Sequence, residues 1–223
     1  PQEMHKVLHG DRVVVRASGS DRRGRPEAKI VEVLERANHR IVGRLHSERG
    51  VLFVIAENKR ISQELLVPPG DALNASAGQV VIAEIIEQPA RHAQPIARVV
   101  EVLGNYADPG MEIEIALRKH DLPHVFPHAV EKAISGLTAE VTARDAEGRA
   151  DLRKLPLVTI DGETAKDFDD AVYCEPHGKG FRLVVAIADV SHYVAHGDAL
   201  DAEARSRGNS VYFPRRVIPM LPE

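Results

Sequence analysis

With 223 residues, 43% of them apolar, the chain is long enough to bury one ordinary core or two small ones. Ordinary glycine and proline contents exclude a fibrous or disordered chain, and a single cysteine, Cys174, excludes an internal disulfide and fits a reducing cytosol. The net charge of −4 lacks the basic excess usual in nucleic-acid binders, but it decides little, because arginines cluster locally (Arg22, Arg23 and Arg25; Arg205, Arg207, Arg215 and Arg216) and a metal site needs acid nearby.

No apolar run approaches the roughly 20 residues that span a membrane. The opening PQEMHKVLHGD lacks the apolar core of a signal peptide. Two stretches then look alike, residues 10–36 and 78–105. Each opens with glycine and a β-branched run, passes through a polar arginine-bearing loop, and closes on a near-identical strand, AKIVEVL and ARVVEVL. Each reads as a β-hairpin, with Gly24 in the first loop and proline in the second. The second copy has more before it: HRIVGRLHS and VLFVIAE form a further hairpin around Glu48, Arg49 and Gly50. Residues 39–104 thus hold the short strands of a five-stranded OB barrel. The first copy has only the last two strands, too few to close a barrel, so an upstream part is expected.

The outer face of such a barrel commonly binds single-stranded nucleic acid. Arg44, His46, Phe53 and Lys59 are candidate contacts, and Phe53 is suited to stack a base. Strand alternation alone places Phe53 in the barrel core instead, and His46 on a solvated face. Helical spacing follows at 111–120 and 128–137, with Gly136 near the end of the second. TARDAEGRADLRKL at 142–155 reads as an exposed linker.

The chemistry lies in LPLVTIDGETAKDFDDAVYCE. An apolar strand, 157–160, delivers Asp161; Asp167, Asp169 and Asp170 follow, and then a second strand over 171–174. Aspartates are poor strand formers, and their mutual repulsion costs energy unless a cation compensates. A hard, oxygen-preferring ion such as Mg²⁺ is the natural partner. The spacing does not supply an EF-hand loop. Such a site suits metal-assisted phosphodiester hydrolysis; the competing reading is a solvated acidic loop. Cys174 alternates within the apolar run and reads as a core thiol. FRLVVAIADVSHYV at 181–194 reads as a strand covered on both faces. Asp198 is placed to cap a helix that Gly208 ends. VYFP follows, and the chain stops at RVIPMLPE, so the last domain is expected to continue.

IDGETAKDFDDAVYC resembles the catalytic signature of the ribonuclease II/ribonuclease R family. VAIADVSHYV, LDAEARSRGNSVYFP and IPMLPE continue the match in order, and HGDRVVV and IVGRLHSERGVLFV look like that family's tandem cold-shock domains. RGNSVYFP and IPMLPE look more like the ribonuclease R branch. The resemblance implies a mixed β and α/β chain: OB-fold, cold-shock-like barrels, then the start of an α/β ribonuclease catalytic domain. Its divisions would be 1–37, the end of a first barrel; 38–105, a second barrel; 106–150, a helical linker; and 151–223, the start of the catalytic domain. It implies a processive, Mg²⁺-dependent, cytoplasmic exoribonuclease that shortens RNA from single-stranded 3′ ends, structured RNA included, and releases nucleoside 5′-monophosphates. No membrane and no small-molecule cofactor are expected.

In that resemblance the four essential aspartates fall on Asp161, Asp167, Asp169 and Asp170. Asp161, Asp167 and Asp170 would hold metal, and Asp169 would act near the scissile phosphate. A tyrosine packing on the 3′-terminal nucleotide falls on Tyr212; a core aromatic beside Pro214 is the alternative. Arg207 is a candidate phosphate contact, or simply a helix-end cation favourable to the dipole. The rest of the family's catalytic domain and its S1-type domain are absent, so this polypeptide alone is expected to have little exonuclease activity. Two further readings are a non-catalytic cold-shock-type RNA-binding module and a protein-interaction fragment.

Overall fold

The computed structural model describes residues 2–21, 24–138, 140–163, 165 and 168–223. The chain divides into two units, Pro1–His124 and Val125–Glu223. Among the described residues no helix is long and apolar enough to cross a membrane.

In the first unit, strands β1 (Arg12–Ser20) and β2 (Pro26–Glu35) form the expected antiparallel hairpin. The next five strands are β3 (Arg40–Glu48), β4 (Val51–Ala56), β5 (Leu65–Val67), β6 (Gln79–Glu87) and β7 (Ile96–Asn105). They close a barrel in the order β3-β4-β5-β7-β6. The β3–β4 turn has positive φ at both Arg49 and Gly50, which a tight two-residue hairpin turn of this hand requires. Alternate residues fill the interior, among them Ile41, Leu45, Val54, Leu65, Val81 and Val99. Leu8, ahead of the first hairpin, joins the same core, and the Gln63 amide donates to the Met4 and Val7 carbonyls.

Helix α1 (Met111–Lys119) packs on the outside of the barrel, where Met111 meets Val42 and Val80. The helical stretch expected between barrel and catalytic region is therefore shared: α1 belongs to the barrel unit, and α2 (His128–Ile134) packs with α3 (Ala199–Arg207) in the second unit. The cap expected of Asp198 is present, its side chain accepting from Asp201 N at 2.7 Å, and Gly208 ends α3 at φ 77°.

The second unit also holds the hairpin of β8 (Asp170–His177) and β9 (Gly180–Ile187), and a short pair, β10 (Val211–Phe213) with β11 (Arg216–Ile218). Three expectations change here. Residues 157–160 form no strand; a single bridge ties Val158 to Val172. The run from 181 stops as a strand at Ile187, and its face is open: Phe181 is 77% exposed and Ile187 71%. Cys174, paired with Leu183 on that face, is exposed rather than a core thiol. A continuous apolar run marks what a strand can bury, and among the described residues β9 has β8 as its single partner strand.

Asp11 anchors the start of the first hairpin. Its side chain is 1% exposed. Oδ2 accepts from Leu8 N at 3.0 Å and from Arg36 Nη1 at 2.8 Å; Oδ1 accepts from Ala37 N at 2.9 Å. Burial pushes the carboxyl up, but the two backbone amides and the guanidinium outweigh it, and the group sits below its ordinary 3.8. A carboxyl depressed by folding stabilises above its unfolded value, and that contribution disappears as pH falls through the folded one. Asp11→Asn is therefore expected to cost about 1–3 kcal/mol at neutral pH, with wild type and variant converging below about pH 4. Thermal unfolding across pH 2.5–7 reads this, and a gap that widens in acid contradicts it.

Candidate functional site

The described aspartates lie at one end of the β8–β9 hairpin. Asp170 opens β8 and pairs with Ile187. The Asp169 carbonyl, just before it, accepts from Ala188 N at 2.7 Å. Asp161 follows the segment tied to β8 by reciprocal Val158–Val172 bonds of 3.0 and 2.9 Å. That bridge is antiparallel, so its register runs residue 161 toward residue 169. All three side chains are exposed. Asp167 lies outside the described residues. Among the described residues, no three His, Cys, Asp or Glu side chains converge to hold a metal ion. The donor set fits a hard divalent cation by chemistry, being all carboxylate oxygen.

Sequence reasoning passed over the residues behind this end of the hairpin. Asp145 and Arg149 lie in the stretch read as an exposed linker, yet His192 Nε2 lies 3.0 Å from Asp145 Oδ1 and Arg149 Nη2 lies 2.6 Å from Asp189 Oδ2. The only local signal is Thr142 three residues before Asp145, a spacing that closes a side-chain turn.

Arg207 is placed differently from a phosphate contact. Its side chain is 2% exposed; Nε donates to Glu203 at 2.8 Å, Nη1 to the Pro219 carbonyl at 3.0 Å and Nη2 to the Val125 carbonyl at 3.1 Å. The guanidinium also lies 3.7 Å over the Phe126 ring. It binds α3 to its surroundings through one hydrogen bond from each of its three nitrogens. Tyr212, in the middle of β10 opposite Val217, is half exposed rather than a core aromatic.

On the barrel, Leu45, Val54 and Ala56 point inward, which turns Phe53 outward and corrects its expected core placement. Phe53 stands opposite His46, the rings stacked at 5.6 Å and 15°. On the same face of β3, the Arg44 guanidinium lies 3.6 Å over the Tyr106 ring, and its Nε is buried without a hydrogen-bond partner among the described residues. Lys59 is exposed beyond β4. Aromatic faces beside cations make a surface on which bases stack and phosphates are neutralised.

Three families match the chain: the Ribonuclease B OB domain over residues 1–33, the Cold shock domain over 53–127, and the RNB domain over 149–223. The chain is 51% identical over its full length to ribonuclease R of Escherichia coli strain K12, of which it spans 27%. It is 54% identical over its full length to ribonuclease R of Acidithiobacillus ferrooxidans, of which it spans 51%. Its fold superposes over its whole length on Mycoplasma genitalium RNase R in complex with ribose-methylated single-stranded RNA, with a TM-score of 0.83 and 29% identity, covering 36% of that chain.

Proposed function

We propose, of a chain that belongs to the ribonuclease R family, that it serves a processive hydrolytic 3′-to-5′ exoribonuclease releasing nucleoside 5′-monophosphates. The observation that carries this is the RNB match over 149–223, which contains all four aspartates, within full-length similarity to ribonucleases R. The chain spans only a quarter to a half of those relatives, so the activity is assigned to the complete protein.

In this reading Asp161, Asp167 and Asp170 hold Mg²⁺, and Asp169 acts beside the scissile phosphate. An ion held there would supply the positive charge needed to activate water and to steady the leaving oxygen. The chain's own part is to present carboxylates from a hairpin end whose backbone is fixed by the Ala188–Asp169 bond. Tyr212 offers its ring to the 3′-terminal nucleotide, and Phe53, His46 and Arg44 offer the barrel face to single-stranded RNA upstream. RNA in the cytoplasm is the partner.

A second reading, a non-catalytic RNA-binding module, is favoured for the 223 residues alone by the outward stack of Phe53 on His46. One experiment separates the two. The complete protein is incubated with 5′-labelled RNA, with Mg²⁺ or with chelator. Stepwise 3′ shortening that the chelator stops supports the exonuclease; undiminished degradation in chelator rules out the metal mechanism. The 223-residue chain is expected to bind the RNA and leave it uncut.

A further inference from the structure

The segment ahead of the acidic loop is held to the turn behind it. Thr142 N and Oγ1 both donate to Asp145 Oδ2, at 2.8 and 2.6 Å. The other oxygen, Oδ1, faces His192 Nε2 at 3.0 Å. A carboxylate only accepts, so Nε2 carries the proton. Arg149 makes the second tie: Nε donates to the Asp145 carbonyl at 3.0 Å and Nη2 to Asp189 Oδ2 at 2.6 Å. Ser191 Oγ donates to Asp189 Oδ1 at 2.6 Å. Both oxygens of both carboxylates are thus occupied. Each carboxyl is held below its ordinary range, Asp145 by Thr142 first and then His192, Asp189 by Ser191 and then Arg149.

The clamped turn follows β9 directly. Its neighbour Ala188 donates to the Asp169 carbonyl, and Ile187 pairs with Asp170. The backbone path from clamp to acidic residues is therefore one hydrogen bond or one strand pair long. At the hairpin end itself, among the described residues, no hydrogen bond or ion pair holds the side chains of Asp161, Asp169 or Asp170. Their mutual repulsion would splay them unless the backbone beneath were fixed from elsewhere.

We propose that residues 142–149 form a strap that positions the aspartate-bearing end of the β8–β9 hairpin, with Asp145, Arg149, Asp189 and His192 as positioning residues for the reaction assigned above. The strap rests on that assignment for its functional meaning. It acts through Ala188 and Asp169, and none of its side chains touches the substrate.

The test uses the complete protein with Arg149→Met, His192→Ala and the conservative His192→Gln, whose amide can still donate to Asp145. Three quantities are read: exchange of the Ala188 amide without metal, half-saturating Mg²⁺ by calorimetry, and kcat and KM on single-stranded RNA. Arg149→Met and His192→Ala are expected to speed the exchange and to raise half-saturating Mg²⁺ by about 10- to 100-fold, as is usual for residues that orient ligands from behind. The loss falls on kcat with KM nearly constant, and His192→Gln restores most of it. Folded variants with all three quantities at wild-type values overturn the strap. Should Arg149→Met fail to fold, His192→Ala and Asp145→Asn decide by the same readings. Asp170→Asn separates the two levels: full activity there overturns the assignment of the acidic cluster, whereas an inactive Asp170→Asn beside unaffected strap variants overturns the strap alone.

Discussion

Asp169→Asn is expected to leave the complete protein able to bind RNA and greatly slowed in cutting it. The change keeps size and hydrogen-bonding capacity and removes one negative charge from beside the scissile phosphate. A positioned carboxylate that orders the attacking water contributes about 10²–10⁴ in rate, so a loss of about 10²-fold or more, about 3 kcal/mol of barrier, is expected. KM should change little, because Asp169 would not hold the ground-state strand. Phe53→Ala is the complementary change. The ring stacks on His46 outside the barrel, so its removal spares the packed interior. Base stacking on an aromatic is worth about 1–3 kcal/mol, and RNA affinity is expected to fall about 5- to 150-fold. Its effect on hydrolysis falls on KM rather than on kcat. Rapid-quench turnover with fluorescence-anisotropy binding distinguishes the two variants. Asp169→Asn within threefold of wild-type kcat would remove the aspartates from the chemistry.

The barrel was legible because its strands alternate and its turns carry the residues they need. Gly50 after Arg49 announces the β3–β4 turn, and the repeat of AKIVEVL in ARVVEVL announces β2 and β7. The direction of Phe53 was not legible. VLFVIA is apolar at every position, so no polar residue marks the outside, and a register one residue off reverses every side chain. What settles it is the pairing of Ala56 with Gly43, two small residues meeting where the backbone is crowded. The aspartates stand out in the sequence, since four of them within ten residues need a reason. Their spatial arrangement was not legible: among the described residues no three acidic side chains converge, and Asp167 lies outside those residues. The strap had almost no sequence signal: Arg149 meets Asp189 across 40 residues and Asp145 meets His192 across 47. Arg207 reads as a helix-end cation and does close α3, but nothing local in the sequence shows that it is enclosed by Phe126 and three hydrogen bonds.

Gly43 and Leu45, two residues apart on β3, are where substitution is expected to cost the barrel most. Leu45 is fully buried at the centre of the core. Leu45→Ala removes three carbons and leaves a cavity that a closed barrel cannot collapse around, so about 3 kcal/mol is expected. Gly43 fails in the opposite way. It pairs with Ala56 on β4 and with Val81 on β6, and a Cβ there would meet the Ile55 carbonyl oxygen and Val54 Cγ1. The backbone of β4 would have to move, and overpacking of this kind costs about 1–3 kcal/mol or more. The two variants differ in what they do to the outer face. A cavity inside β3 leaves the His46–Phe53 register in place, so Leu45→Ala should keep RNA affinity while folded. Displacing β4 shifts Phe53 against His46, so Gly43→Ala should lose both stability and affinity. Urea titration with RNA binding measured well below the midpoint reads both. If Gly43→Ala binds RNA as tightly as Leu45→Ala, the β3–β4 face is not where the RNA lies.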